Sequence, residues 1–261
     1  MTGLTDKTVV VTGVSSGIGH ATVELLADQS AKVIGLDIKA PTARMERFVQ
    51  CDLGDAAAIE AAADAIEGPI DALINIAGVP GSLPKETVLR INFLGLRLLS
   101  ELLVPKIVEG GSITNVASIA GGGWQGNLAQ VMLLVGTPDF DSGVAWIRDT
   151  EMTNTRSYDF SKECVIVLTK VMAKLRLSNG IRVNSVSPGV VDTPILPDFR
   201  ASMGTEQIDW AERAVGRNAL PTDLAPAIVG IADPALGWLN GADLQVDGGL
   251  MAGLIGGWIG I

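Results

Sequence analysis

The sequence predicts an α/β fold: one doubly wound parallel sheet with helices on both of its faces. Short β-branched runs alternate with longer helical stretches, and the first run leads straight into a glycine-rich turn. No linker, repeat or low-complexity tract divides the 261 residues. Strands that alternate with helices form βαβ units with right-handed crossovers, and these build a parallel sheet. We therefore expect a single domain over residues 1–261.

The predicted strands are short and rich in valine and isoleucine, and they are Lys7–Thr12, Lys32–Asp37, Arg47–Cys51, Ile70–Ile76, Ser112–Val116, Ile181–Ser187 and Asp243–Val246. Apolar residues at helical spacing predict helices over Gly17–Asp28, Asp55–Glu67, Thr87–Val108, Tyr158–Leu177 and Asp223–Ala232. The segment 120–156 is interpreted as a helical insertion with two pieces, Asn127–Val135 and Ser142–Thr150. Mixed polarity and weak strand signals predict a mobile substrate lid over about 190–217.

Composition and charge exclude several classes of protein. Hydrophobic residues make up 48% of the chain and charged residues 18%, which excludes a disordered chain. The net charge of −10 repels phosphate backbones, so we expect no nucleic-acid partner. The single histidine, His20, has no acidic partner in a motif. Neither a Ser-His-Asp hydrolase nor a metal site is therefore expected.

The cysteines and the two ends of the chain bear on location. Cys51 and Cys164 lie far apart without a C-x-x-C motif, which suits a reducing cytoplasm, and we interpret both as small core residues. The first residues lack the pattern of a secretory signal. The apolar tail Gly248–Ile261 has 14 residues, fewer than the ~20 that span a bilayer, so no membrane role is expected. We interpret it as a packed tail or a subunit contact.

A dinucleotide site is indicated by the turn after the first strand, Thr12-Gly13-Val14-Ser15-Ser16-Gly17-Ile18-Gly19. Its glycines let the backbone approach a pyrophosphate, and the next helix offers N–H donors at its N-terminus, as in Rossmann-type folds. Asp37 ends the second strand. A carboxylate there accepts both ribose hydroxyls of NAD and repels the 2′-phosphate of NADP. Lys39 lies two residues beyond this acid, but a single cation there does not outweigh the carboxylate. NAD is therefore favoured over NADP.

These residues belong to a pattern that resembles the short-chain dehydrogenase/reductase family over nearly the whole chain. The turn has the family's G-x-x-x-G-x-G spacing. Asp52-Leu53 matches its adenine-contacting pair, Asn75-Ile76-Ala77-Gly78 its Asn-Ala-Gly element, and Pro188-Gly189-Val190-Val191-Asp192-Thr193 its Pro-Gly-x-x-x-Thr element. The resemblance implies a cofactor site formed by Gly13, Ser15, Ser16, Gly17, Ile18, Gly19, Asp37, Asp52, Leu53, Asn75, Ala77, Gly78, Tyr158, Lys162, Pro188, Gly189, Val191 and Thr193.

Tyr158 and Lys162 are four residues apart on a predicted helix, so their side chains share one face. Hydride transfer to or from an alcohol also requires moving the hydroxyl proton, and a phenol with a pKa of about 10 is a poor base at neutral pH. A neighbouring ammonium and an oxidised nicotinamide both favour the phenolate. An ordinary pair on a helix surface is the alternative, but the flanking cofactor motifs favour catalysis.

Two further catalytic residues follow from the resemblance. It implies that Ser118 positions the substrate oxygen for Tyr158, and that Asn92 links Lys162 through water to solvent. The alternative for Ser118 is a cap at a strand end. The alternative for Asn92 is a structural role at a helix kink.

The insertion, together with Val79-Pro80-Gly81, resembles two subgroups of the family, coniferyl alcohol dehydrogenase and 3-alpha-hydroxysteroid dehydrogenase/carbonyl reductase. This implies a bulky hydrophobic alcohol or ketone, aryl or steroid-like, as substrate of an NAD-dependent oxidoreductase. The structural alternative is that the insertion only reshapes a subunit contact. Rival functions are a non-catalytic NAD-binding module and an acyl-thioester ketoreductase. Asp37 argues against the latter because such enzymes usually take NADPH.

Helices Thr87–Val108 and Tyr158–Leu177 are apolar nearly all round. A surface helix needs one apolar stripe, so a second buried face is expected to contact another subunit. In the family these two helices form the main oligomer interface, although the insertion leads directly into one of them and could alter that contact. We therefore expect a homo-oligomer, either a dimer or a tetramer.

Overall fold

The computed structural model describes residues 3–260, and its centre is a seven-stranded sheet. The strands follow the spatial order β3-β2-β1-β4-β5-β6-β7, and every neighbouring pair is parallel. They are β1 (Thr8–Thr12), β2 (Lys32–Asp37), β3 (Arg47–Gln50), β4 (Ile70–Asn75), β5 (Ile107–Val116), β6 (Arg182–Pro188) and β7 (Asp243–Val246). The predicted fold class is confirmed.

Helices cover both faces of the sheet. They are α1 (Gly17–Asp28), α2 (Ala56–Ala65), α3 (Lys85–Leu89), α4 (Leu96–Leu103), α5 (Leu128–Val135), α6 (Phe140–Asp149), α7 (Asn154–Met172), α8 (Leu175–Asn179), α9 (Leu196–Met203), α10 (Thr205–Val215), α11 (Pro221–Ala232) and α12 (Leu250–Gly256). Within the described residues, none of the helices has the length and hydropathy needed to cross a membrane.

Two apolar clusters hold these layers together. Side chains alternate between the faces of a strand, so Val9 and Val11 pack with α1 and α11, whereas Val10 packs with α2, α4 and α7. All three valines are fully buried. Both faces of the central strands are therefore covered, as the continuous apolar runs of a parallel sheet require.

The predicted helix Thr87–Val108 is wrong at both ends and in its middle. The helical segment begins at Lys85, passes through a π-helical turn over Arg90–Gly95, and continues as α4. Pro105 ends it within a 3₁₀ turn, Val104–Lys106, because a proline lacks the backbone N–H that a continuing helix needs. Strand β5 then starts at Ile107, earlier than predicted.

Two other predictions need correction. The helix predicted over Tyr158–Leu177 begins at Asn154, where Thr153 Oγ1 accepts a hydrogen bond from the Arg156 N–H, and it ends at Met172. The lid segment, in which no helix was predicted, contains helices α9 and α10. Gly204 separates these two helices with a φ of +98°, a left-handed conformation that glycine adopts readily.

The insertion folds against the chain's own helices. Helices α5 and α6 pack on α4 and α7 in one cluster, so that Val165, Ile166 and Val167 of α7 are each 3% exposed or less. Arg97 of α4 reaches into the insertion and donates to the Thr137 and Asp139 carbonyls at 3.0 and 2.9 Å. The second apolar faces are thus covered within one chain. The inference that they need another subunit is wrong.

Candidate active site

The carboxyl ends of the central strands open into a cleft of about 510 Å³. Nearly all predicted site residues line it, drawn from loops that are far apart in the chain: Gly13, Ser15, Ser16, Gly17, Ile18, Gly19, Asp37, Asp52, Leu53, Ala77, Gly78, Ser118, Tyr158, Lys162, Pro188, Gly189, Val191 and Thr193. Two predicted residues, Asn75 and Asn92, lie behind the cleft wall. A crevice at this end of a doubly wound sheet is where such folds bind ligands.

The glycine turn fits a pyrophosphate. Gly13 has a φ of +77°, and a Cβ there would lie 2.8 Å from the Ala77 Cα. A Cβ on Gly19 would collide with the Gly13 carbonyl oxygen. Helix α1 begins at Gly17, and the Ser16 side chain does not cap it, which leaves the first N–H groups available for an anion. The turn therefore has the backbone shape and the donors of a dinucleotide site.

Asp37 stands at the end of β2 with its carboxylate fixed by the backbone. Its Oδ2 accepts a hydrogen bond from the Ser15 N–H at 2.9 Å, and its Oδ1 accepts one from the Lys39 N–H at 3.0 Å. These contacts hold a negative charge beside the glycine turn. Asp52 is held in a similar way, because its Oδ1 accepts from the Gly54 N–H at 2.7 Å.

Asn75 does not reach the cleft. Its side chain is buried below β4, where Nδ2 donates to Ser100 Oγ at 3.0 Å and to Asn115 Oδ1 at 2.9 Å. Asn75 therefore links β4 to β5 and α4, and the next residue, Ile76, lines the cleft instead. Successive strand residues face opposite sides, a distinction that the match to the Asn-Ala-Gly element did not resolve.

Tyr158 and Lys162 lie on α7 with 9% and 5% of their surfaces exposed. The Lys162 Nζ donates to the Val116 carbonyl at 3.0 Å and lies 5.8 Å from the centroid of the Tyr158 ring. Burial raises the pKa of Tyr158 to about 12, with a hydrogen bond to Ser118 acting the other way and the charge of Asp159 adding to the rise. Burial lowers the pKa of Lys162 to about 8. In the free protein burial therefore shifts both groups toward their neutral forms, although a lysine with a pKa of about 8 still carries its proton at neutral pH.

Ser118 follows β5 and lines the cleft with Tyr158. Its Oγ accepts a hydrogen bond from the Ala120 N–H at 3.2 Å, capping a 3₁₀ turn over Ile119–Gly123. Ser118 therefore both caps this turn and lines the cleft with Tyr158. A serine hydroxyl can accept from the backbone and still donate to a substrate oxygen.

Asn92 lies in the π-helical turn and is 1% exposed. Its Oδ1 accepts from the Val79 N–H at 2.8 Å, while Nδ2 donates to the Val79 carbonyl at 3.0 Å and to Ser161 Oγ at 3.2 Å. Ser161 immediately precedes Lys162. Asn92 thus joins the loop after β4 to helix α7. It does so from a π-helical turn, which agrees with the structural role that was its alternative.

The lid helices cover the other end of the cleft. Phe199 of α9 packs edge-on against Tyr158, with ring centroids 4.9 Å apart and planes at 70°. Thr155 Oγ1 donates to the Ser202 carbonyl at 3.0 Å, which ties α9 to the start of α7. Further apolar side chains from the lid line this end: Ile195, Leu196, Met203 and Trp210.

Several cleft residues were missed by the sequence analysis. Ile38 and Cys51 stand beside Asp37 and Asp52 on the cleft wall. Cys51 is also 3% exposed and belongs to the core, as predicted. Leu250, Met251 and Leu254 come from the tail, whose apolar pattern was the available signal. Both cysteines are free. Within residues 3–260, no group of three His, Cys, Asp or Glu side chains is arranged to hold a metal ion.

A doubly wound sheet with a glycine turn and a Tyr–Lys pair on one cleft is the architecture of a dinucleotide-dependent oxidoreductase, and the relatives of the chain identify its family. Residues 7–129 match the family model described as short chain dehydrogenase, and residues 146–251 match one described as Enoyl-(Acyl carrier protein) reductase. The chain belongs to the short-chain dehydrogenase/reductase family.

Its relatives include enzymes that act on alcohols. The chain is 37% identical to the coniferyl-alcohol dehydrogenase of Pseudomonas sp. (strain HR199 / DSM 7063), over 95% of this chain and 97% of the relative. It is 33% identical to the D-threitol dehydrogenase of Mycolicibacterium smegmatis, over 94% and 93% of the two chains.

A solved structure gives the same result. The 3-alpha-hydroxysteroid dehydrogenase from Pseudomonas sp. B-0831, complexed with NADH, superimposes with a TM-score of 0.82 at 28% identity, over 95% of this chain and 98% of that one. The predicted family is confirmed, and so is the predicted resemblance to coniferyl alcohol dehydrogenase and 3-alpha-hydroxysteroid dehydrogenase. The protein is an oxidoreductase of the alcohol-dehydrogenase type, acting on CH–OH groups.

Proposed function

We propose that the protein is an NAD-dependent alcohol dehydrogenase/carbonyl reductase for a bulky hydrophobic substrate, aryl or steroid-like. The observation that carries this proposal is a single cleft that joins the glycine turn, the Ser118–Tyr158–Lys162 group and an apolar chamber under the lid. Bound NAD would supply the hydride acceptor in alcohol oxidation. The chain's own residues supply binding, orientation and proton transfer.

Tyr158 is the proposed acid/base. In alcohol oxidation its phenolate oxygen takes the substrate hydroxyl proton, and in carbonyl reduction its phenol returns that proton. Ser118 Oγ donates a hydrogen bond to the substrate oxygen and holds it for Tyr158. The Tyr158→Phe variant keeps the ring and its contact with Phe199 while removing the hydroxyl. We expect its kcat to fall by roughly 10²–10⁴-fold while NAD binding, followed by tryptophan fluorescence, is retained.

Lys162 has two proposed roles. Its ammonium favours the phenolate of Tyr158 through charge, and its Nζ binds the cofactor ribose. Because the pKa of Lys162 is about 8, this group can release and regain a proton near neutral pH. Asn92 Nδ2 donates to Ser161 Oγ, and Ser161 is the residue before Lys162. In this proposal Asn92 completes the proton relay from Lys162 toward solvent.

The preference for NAD over NADP rests on Asp37. Its carboxylate is held beside the glycine turn by two backbone N–H groups, and it would repel a 2′-phosphate. Titrating the protein with NADH and with NADPH tests this preference. We expect NADH to bind more tightly and an Asp37→Ser variant to lose most of the difference. Tighter NADPH binding by the unmodified protein would contradict the proposal and favour the acyl-thioester ketoreductase.

The substrate class rests on the apolar lid and on two relatives. Side chains such as Phe199, Met203 and Trp210 offer contact area to rings and little hydrogen bonding. The relatives named for coniferyl alcohol and for a 3-alpha-hydroxysteroid support the same class. A panel of steroid, cinnamyl, benzylic and small aliphatic alcohols with NAD tests it. Turnover of the aliphatic alcohols alone would contradict the class. NAD binding without any turnover would favour the non-catalytic module.

We also propose a homo-oligomer, a dimer or a tetramer, located in the cytoplasm. The location is supported by the two free cysteines, which suit a reducing compartment. Association is supported by three exposed apolar side chains: Leu244 on the edge strand β7, Trp238 in the segment before it and Leu177 of α8 are 42%, 90% and 92% exposed. Exposed edge strands and apolar patches are typical of contact surfaces.

A further inference from the structure

The tail after β7 folds into a fixed element, which we name the C-terminal hook, residues 248–260. Gly248 and Gly249 have φ values of +69° and +89°, and this turn redirects the chain from β7 into α12. The Asp247 carboxylate then accepts hydrogen bonds from the Gly249 and Met251 N–H groups, both at 2.9 Å. The start of α12 is therefore anchored to the end of the sheet.

The end of the hook folds back onto its own helix. The N–H groups of Trp258 and Ile259 both donate to the Gly253 carbonyl, at 3.0 and 3.1 Å. A Cβ on Gly253 would lie 2.5 Å from Ile259 Cδ1, so a residue without a side chain is needed for this return. Ile259 is 9% exposed. The hook is a packed structure with one defined face toward the rest of the molecule.

That face forms part of the cleft. Leu250, Met251 and Leu254 line the same cleft as Tyr158 and the lid residues. Leu250 and Leu254 also share an apolar cluster with Trp210 and Ala211 of lid helix α10. The opposite face of α12 points to solvent, since Ile255 is 84% exposed. The hook thus stands between the lid and the sheet, with apolar side chains turned toward the space a substrate would occupy.

We propose that Met251 and Leu254 are specificity-determining residues, with the hook as a second wall of the substrate chamber beside lid helix α10. The inference rests on the proposed function and adds which residues select the size of the substrate. In an apolar pocket, one methylene group changes kcat/KM by roughly 10–200-fold when it contacts the substrate. Removing part of this wall therefore penalises large alcohols, which reach it, more than small ones.

The experiment compares two adjacent residues of one helix, Leu254→Ala and Ile255→Ala. The value of kcat/KM with NAD is measured for the largest and the smallest alcohol that the unmodified protein oxidises among steroid, cinnamyl and benzylic alcohols. We expect Leu254→Ala to lower kcat/KM for the large alcohol about 10-fold or more and to leave the small one within about twofold. The exposed-face control, Ile255→Ala, should change neither value.

An equal loss for both alcohols in Leu254→Ala would show a merely structural role and overturn the inference. If that variant fails to fold, Met251→Ala and the milder Leu254→Met are compared with Ile255→Ala in the same way, and an unchanged ratio in both overturns it. Failure of the proposed function is distinct, because the unmodified protein would then bind NAD and oxidise none of the bulky alcohols.

Discussion

Tyr158 and Lys162 meet in a site that burial makes unfavourable for charge. Burial raises the pKa of Tyr158 to about 12 and lowers that of Lys162 to about 8. Proximity of the pair alone therefore does not produce a phenolate in the free protein. The added positive charge of an oxidised nicotinamide is what we expect to bring the tyrosine into a useful range. Ionisation of Tyr158, the proposed base, is thereby expected to depend on cofactor binding.

The buried lysine makes stability depend on pH. Because the pKa of Lys162 falls from 10.5 to about 8 on folding, the unfolded chain binds more protons between these values, and raising the pH stabilises the folded state. We expect Lys162 to contribute up to about 3 kcal/mol to the rise in the free energy of unfolding from pH 8 to 10. Urea unfolding of Lys162→Met should lack this contribution. An identical pH dependence in both proteins would contradict it.

Local spacing explains which site residues the sequence predicts well. The turn from Gly13 to Gly19, the Tyr158–Lys162 pair and Asp37 each lie within or beside one predicted element, and the structure brings them together. Asn75 was misplaced because the match did not say which side of β4 the residue faces. Cys51 and the tail residues could not be assigned, since only the assembled fold places them on the cleft.

Arg97 anchors the insertion to α4. Its side chain is 3% exposed, and Nη1 donates to the Thr137 carbonyl and hydroxyl at 3.0 Å each. Removing this guanidinium leaves partly buried carbonyl groups without their donor, at up to about 1–3 kcal/mol for each group that water does not reach.

A matched pair of variants tests this anchor by urea unfolding. We expect Arg97→Met to reduce the free energy of unfolding by about 3 kcal/mol. Arg148 pairs with Glu86, but its side chain is 62% exposed, so Arg148→Met should leave the free energy of unfolding nearly unchanged. An equal loss of the free energy of unfolding in the two variants would show that Arg97 does not anchor the insertion.

The boundaries of helices and strands show where the hydrophobic pattern of the sequence does not predict the structure. Two helical pieces were predicted within the insertion, and α5 and α6 confirm them. The π-helical turn at Arg90–Gly95 leaves no mark in the hydrophobic pattern, because neighbouring helices bury it on several sides. The lid helices were missed since α9 and α10 carry mixed polarity and meet at Gly204.

At the scale of the whole molecule, the insertion covers apolar helix faces that the sequence analysis assigned to another subunit. Exposed apolar side chains remain elsewhere, on and beside the edge strand β7 and on the outer face of α5. The proposed association therefore depends on a different surface from the one first expected.

Light scattering tests this surface. We expect the unmodified protein to have a mass of two or four chains, and Leu244→Arg on β7 to lower it by placing a charge in the contact. Leu133 is 62% exposed on the insertion helix α5, so Leu133→Arg is the control and should leave the mass unchanged. A stable monomer of the unmodified protein would contradict the proposed oligomer.

The central claim is that Tyr158 becomes a base once NAD is bound, and the composition allows a direct test. The chain contains one tyrosine, so all phenolate absorbance in the ultraviolet comes from Tyr158. In the free protein we expect this absorbance to appear only as the pH approaches 12. With saturating NAD it should appear well below pH 10 and return toward higher pH in Lys162→Met. An unshifted titration in the NAD complex would contradict the proposed roles of Lys162 and of the cofactor charge.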